Sequence, residues 1–270
     1  MLVLLSPAKD LALETPVIKG TTQPALLDDA RRLVTKLKTL SAKKLADLMD
    51  LSLKLGELNK ERYTRWHVPF TVKNARPAVF TFNGEVYRGL DARTLNDGDL
   101  RFAQHHLRIL SGLYGVLRPL DLMQDYRLIM GTPFGMGKAK NLYAFWGGRI
   151  TDVLNTDLKE AKSNAVINCA SGEYFKAVDP KRLKARVITP VFKDRSGNTY
   201  KSLQVYVKQQ RGAMARYIIQ HRLLDPEGIK SFDSNGYRFS PEHSSENEWV
   251  FLRDKRPPLV PQKLKGGRIR

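Results

Sequence analysis

The strongest constraint on the fold is the order in which two hydrophobic periodicities occur along the chain. A short all-apolar run, Leu2–Leu5, stops at Ser6 and Pro7 and reads as a buried strand ended by a turn. From residue 24 to about 58 the spacing is helical. Leu33, Leu37 and Leu40 share a face, and Ser41 caps a segment carrying Leu45, Leu48 and Leu51. Residues 78–82, bounded by Asn83 and Gly84, read as a strand entering a turn. Asp99 opens a helix in which Ala103, Leu107, Leu110 and Tyr114 form one apolar stripe. Residues 142–154 predict another helix.

The second half changes character. Residues 165–169, 186–192 and 200–207 are rich in β-formers, the last two joined by a hairpin-type connection at 194–198. Residues 212–224 return to helical spacing through Met214, Ile218 and Leu223, and 249–251 form a last short strand. Strands and helices mix without a regular strand–helix–strand alternation, which predicts an α+β fold in a single compact domain over residues 1–253. Residues 254–270 read as a basic, flexible appendage.

Charge narrows the partners. The 270 residues carry 46 Lys+Arg against 27 Asp+Glu, a net charge of +19. Such a surplus attracts polyanions at long range and opposes compaction. The last twenty residues hold seven basic side chains and one acid, Asp254, so most of the surplus lies in the body. Residues 172–222 alone have twelve basic residues against Glu173, Asp179 and Asp194. A single cysteine, Cys169, excludes an intramolecular disulfide and fits a reducing compartment. With no signal-peptide pattern and no run near the roughly 20 apolar residues of a membrane span, the expected location is cytoplasmic, away from membranes.

Known chemical motifs are scarce. His67, His105, His106, His221 and His243 give no HExxH or zinc spacing, so no metal is expected. No phosphate-binding P-loop, Rossmann fingerprint or nucleophile elbow occurs, which leaves no catalytic motif and no cofactor. The stretch 131–138 (GTPFGMGK) reads as a mobile glycine loop, and Ser171 as a turn serine. More informative is 107–119. A helix, the Gly112-Leu113-Tyr114-Gly115 turn and a second apolar run can form a helix-hairpin-helix, with Arg108, Arg118 and Arg127 adding phosphate contacts. An ordinary helix corner with core Leu and Tyr fits the same residues. A third patch, Lys208, Arg211 and Arg216, joins Lys176, Lys181, Arg182 and Lys184 as a candidate electropositive surface.

Six strings carry a resemblance: LSPAK (5–9), FNGEVYRGL (82–90), HLRILSGLYGVLRPLDL (106–122), NLYAFWG (141–147), EYFKAV (173–178) and RGAMARYII (211–219). In this order they resemble the peroxide stress protein YaaA family over residues 1–253. The resemblance implies a cytosolic role in surviving hydrogen peroxide by keeping unincorporated iron low. It also implies DNA binding through a helix-hairpin-helix at 110–122 and a basic cleft at Lys9, Arg127, Lys176, Lys208, Arg211 and Arg216. Two positions depart from the family pattern: Ile129 stands in place of an acid, and Gly172 in place of Asn or Asp. Two readings remain. One is a DNA-binding stress protein. The other is an enzyme acting on a nucleotide or nucleic acid with Lys9, Ser171, Glu173 and Tyr174 at one pocket, which requires Lys9 and Glu173 to share a face. Direct iron sequestration is disfavoured, because soft ligands are scarce and a cationic surface repels Fe²⁺.

Overall fold

A computed structural model describes residues 1–256. Residues 257–270, most of the expected appendage, lie outside the described residues, while Asp254 still accepts a hydrogen bond from Tyr200 Oη at 2.7 Å.

In chain order the elements begin with β1 (Leu2–Leu5), β2 (Asp10–Leu11), α1 (Leu27–Lys38), α2 (Ala42–Met49) and α3 (Leu53–Arg65). The two serines that start α2 and α3 act as caps. Ser41 Oγ accepts from Lys44 N and Ser52 Oγ from Leu55 N. Next come β3 (Arg76–Pro77), α4 (Ala78–Thr81), β4 (Phe82–Asn83), α5 (Glu85–Leu90) and α6 (Asp97–His106). Residues 78–81 thus form one buried helical turn, and only Phe82 and Asn83 are strand. A reciprocal cap between Asn96 and Asp99 fixes the start of α6 at Asp97, two residues earlier than expected.

The expected helix beyond His106 is not there. Leu107 is extended (φ −106°, ψ 137°), and the chain enters β5 (Leu107–Ser111), turns through Gly112, Leu113 and Tyr114, and returns as β6 (Gly115–Leu117). The 107–119 segment is therefore a β-hairpin and not a helix-hairpin-helix. The reason is burial on both sides: every residue of β5 and β6 is buried, as in a strand covered on both faces. Each glycine of the turn has its own cause. A side chain on Gly112 would run into the backbone of Leu128 and Ile129, and Gly115 has φ +69° against Leu26 and Trp146.

The remaining elements are β7 (Leu122–Met123), α7 (Leu142–Trp146), α8 (Arg149–Glu160), β8 (Ala165–Cys169), α9 (Gly172–Phe175), β9 (Arg186–Ser196), β10 (Thr199–Lys201), α10 (Gln204–Gln220), β11 (Arg238–Phe239) and β12 (Glu248–Arg253). Gly147, at φ +49°, breaks the single helix expected over 142–154 into α7 and α8. Residues 204–207, expected as strand, open α10.

The main sheet has the order β11-β12-β9-β8-β1-β5-β6, with β10 added on β9. Its centre is parallel: β5, β1, β8, β9 and β12 all run one way. The expected α+β fold is therefore a mixed α/β domain around a mixed sheet. The crossovers between the parallel strands are long and irregular, which hides the alternation in the sequence. α10 lies against β9, β8 and β1, while α8 and α9 touch β6 and β5.

Candidate functional site

The sheet order positions a crevice. From β1 the chain crosses to β5 on one side, and from β8 it crosses to β9 on the other. The winding thus reverses between β1 and β8, and in open α/β sheets ligands bind outside the carboxyl ends of strands at such a switch point. Ser6 follows β1 and Ser171 lies just beyond β8, so both stand at those ends. They hold each other: Ser171 N donates to Ser6 Oγ at 2.8 Å, and Ser6 Oγ donates to Ser171 Oγ at 3.3 Å.

These serines line a cavity of about 450 Å³. The loop after β1 contributes Lys9 and Asp10, both exposed. The 83–88 segment contributes Asn83, Glu85, Tyr87 and Arg88, and the start of α9 contributes Glu173 and Tyr174. Lys208 and Arg211 enter from α10, and Ile129 closes a further side with an apolar group. Lys9 and Glu173 therefore share one cavity, together with Ser171 and Tyr174.

Helix packing sets this arrangement. α5 and α10 cross where Gly89 and Gly212 face each other's backbone. A Cβ on Gly212 would lie 2.7 Å from Leu90 N and 2.8 Å from Val86 C. One on Gly89 would lie 2.9 Å from Ala213 N. The FNGEVYRGL and RGAMARYII strings are thus two halves of one glycine-mediated contact, which delivers Arg88, Lys208 and Arg211 to the same opening. Gln209 Nε2 donates to Glu85 Oε2 and ties the rim across the crossing.

The walls are largely immobilised by their own bonds. Tyr87 Oη donates to Ser6 O at 3.0 Å, and burial raises its hydroxyl pKa well above 10. Tyr174 is raised in the same way by burial and bonds to the Met130 backbone. Glu173 Oε1 accepts from Gly131 N at 2.9 Å, and Tyr143 Oη donates to Glu173 O. The glycine-rich 131–138 loop is thereby pinned at its first residue. Cys169, fully buried at the end of β8, has its thiol pushed up to about 12 by burial. The nearby Arg211 guanidinium pulls it down only in part.

The other expected phosphate-binding residues lie elsewhere. Gly112, Leu113, Tyr114 and Gly115 are buried in the core. Tyr114 Oη accepts from Trp66 Nε1 and Gln124 N, both at 3.0 Å, so the turn serves packing and offers no surface to a ligand. Arg108 is buried against Asp157, with Nε to Oδ2 at 2.6 Å, and Arg118 reaches the other oxygen of the same carboxylate at 3.0 Å. Because β6 runs antiparallel to β5, Arg118 leaves the sheet towards the amino ends of the parallel strands, away from Ser6. Arg216 donates to the carbonyls of Leu90 and Asp91 and so closes the carboxyl end of α5. Arg182 is paired with Asp152 at 2.7 Å. Arg127 is half-buried outside the cavity lining. Lys176 is exposed just after α9, with Nζ 5.1 Å from the Tyr143 ring centre. Of the eleven residues singled out, Lys9, Lys208 and Arg211 come together in the cavity lining, which Lys176 does not join. Ser6, Asn83 and Arg88 were missed. All three sit inside strings that carried the resemblance, but only the switch point reveals why they matter.

Among the described residues no group of three His, Cys, Asp or Glu side chains is placed to hold a metal ion, and no helix is long and apolar enough to cross a membrane.

Comparison with known proteins agrees with the strings. A profile described as peroxide stress protein YaaA matches residues 1–243. A UPF0246 protein of Saccharophagus degradans is 52% identical over 254 residues, covering 94% of this chain and 99% of that protein. UPF0246 proteins of Neisseria gonorrhoeae and Paraburkholderia phytofirmans are each 50% identical over 256 residues, covering 94% of this chain and 99% and 98% of theirs. With the strings at the crevice and along the packing that shapes it, the chain belongs to the peroxide stress protein YaaA family.

Proposed function

We propose that this peroxide stress protein binds DNA through the cationic mouth of the switch-point crevice and thereby limits iron-driven damage. The observation that supports the reading is the gathering of Lys9, from the loop after β1, and Lys208 and Arg211, from α10, around one opening. Such cations neutralise phosphates without reading bases, so binding is sequence-independent and displaces the counterions condensed on DNA. Fe²⁺ is one such counterion. Its release from the phosphates removes the metal from the place where hydroxyl radicals do most harm, and no iron site on the protein is needed. The cytosol, where DNA and peroxide-labile iron meet, is the compartment this role requires.

Fluorescence anisotropy of a labelled duplex against salt tests the reading. Binding should weaken with a steep log K versus log[salt] slope. Lys208→Ala should lower that slope by about 1. Arg118→Ala should leave it unchanged, because Arg118 is already committed to Asp157. A flat slope, or loss of binding in Arg118→Ala alone, refutes the placement.

A second reading, an enzyme acting on a nucleotide or nucleic acid, is favoured by one observation: Lys9, Ser171, Glu173 and Tyr174 line the same cavity.

A further inference from the structure

Arg211 is the residue that the DNA-binding reading explains least. A duplex backbone is met by exposed, flexible cations, yet Arg211 is half-buried at the inner side of the cavity, close to Cys169 at the end of β8. Its Nε is fully buried and finds no hydrogen-bond acceptor, and no carboxylate among the described residues pairs with it. Burial lowers its pKa below the usual arginine range. A guanidinium with its Nε buried and no anion beside it is costly, and such groups are otherwise paired. The two fully buried arginines among the described residues follow that rule, Arg108 with Asp157 and Arg253 with Asp194.

We infer that Arg211 is the anchor for the phosphate of a small ligand, a nucleoside monophosphate, held inside the cavity. A phosphate is the anion a planar guanidinium matches best, through two parallel hydrogen bonds. Lys9 and Lys208 add charge at the same opening, and the Ser6 and Ser171 hydroxyls stand at the strand ends where phosphates of α/β proteins sit. The opposite character of the rim selects the rest of the ligand. Asp10, Glu85 and Glu173 are acceptors suited to sugar hydroxyls or an exocyclic amine, with Tyr87 and Tyr174 as aromatic wall. The volume of about 450 Å³ suits one nucleotide and excludes a length of duplex. The inference rests on the same crevice as the DNA-binding reading, and the two fail separately.

Calorimetry and thermal melting with dAMP, inorganic phosphate and deoxyadenosine test it. In the wild type dAMP binds and raises the melting temperature, phosphate competes weakly, and deoxyadenosine does not bind. Arg211→Gln weakens dAMP by roughly 10- to 100-fold, as expected for loss of a charge-assisted bidentate contact. Lys208→Ala, at an exposed position, weakens it by several-fold. Without ligand, Arg211→Gln melts at the same or a higher temperature, because an uncompensated buried charge has been removed. A purely structural arginine would do the opposite. Absence of dAMP binding to wild type, unchanged affinity in Arg211→Gln, or a clear fall in its melting temperature each overturns the inference. Duplex binding without dAMP binding sinks this inference alone. dAMP binding without duplex binding sinks only the DNA-binding reading.

Discussion

Gly212→Ala separates tertiary packing from helix propensity at one position. In an isolated helix the change is favourable by about 1 kcal/mol, since glycine loses more backbone entropy than alanine. Here the new methyl would lie 2.7 Å from Leu90 N and 2.8 Å from Val86 C, with Val86 O nearer still. These are backbone atoms of a buried helix and cannot rotate aside. To reach an ordinary contact of about 3.5–4.0 Å, α5 and α10 must part by roughly 1 Å. A gap of that size forfeits a quarter to a half of the dispersion between facing atoms. Overpacking of this kind costs about 3 kcal/mol at the upper end of its usual range, so the expected net loss is about 2 kcal/mol. Urea unfolding should show a midpoint lower by roughly 1 M with an unchanged slope. The same displacement moves Lys208 and Arg211, so duplex affinity should fall in the folded variant. Gly89→Ala should behave alike, and the double variant should lose less than the sum, because the helices part only once. A Gly212→Ala midpoint above the wild type would show that propensity dominates and that the crossing is looser than described.

Asp121 gives a pH dependence of unusual sign. Its side chain is buried and accepts from Thr22 Oγ1 at 2.6 Å and Arg118 N at 2.7 Å, yet desolvation outweighs both and raises its pKa from 3.8 to about 6. The folded state therefore keeps a proton that the unfolded chain releases. The resulting stabilisation is complete below about pH 4 and is lost as pH rises through 6, at most about 3 kcal/mol. Asp121→Asn should flatten stability between pH 4 and 7 relative to wild type; an unchanged profile in urea titrations would reject this assignment. Cys169, with its pKa near 12 and no exposure, should resist a thiol reagent at pH 8 until the protein is unfolded. Rapid modification of the native protein would contradict the burial.

Some of this architecture is legible in the residues and some is not. Caps are local, and Ser41 was identifiable because its hydroxyl needs only the amide three residues on. Leu2–Leu5 is readable as a buried strand because the Ser6-Pro7 turn ends it on the chain itself, and residues 165–169 as strand because they are rich in β-formers. The 103–114 segment misleads for a physical reason. Leu107, Leu110 and Tyr114 fall at helical spacing by coincidence, while a strand buried on both faces has no alternation to set against it. The partner that makes Arg108 tolerable there is Asp157, about fifty residues away. Residues 204–207 carry Val205, Tyr206 and Val207, good strand formers, but tertiary contact holds them in α10. The crevice itself was invisible as a place. Lys9, Ser171 and Glu173 could be listed together, but only the reversal of winding between β1 and β8 puts them at one opening.

The position of β1 has a consequence for how the protein comes into being. This strand is synthesised before both of its neighbours and sits in the middle of the sheet, with Val3 against Leu107 and Leu2 against Val166. On the ribosome its four apolar residues emerge long before either neighbour exists, and parallel pairing across such separations closes slowly. For that interval the nascent chain presents a sticky, unpaired strand edge. Until β5 and β8 are made and docked on either side, that edge is open to pairing with another chain.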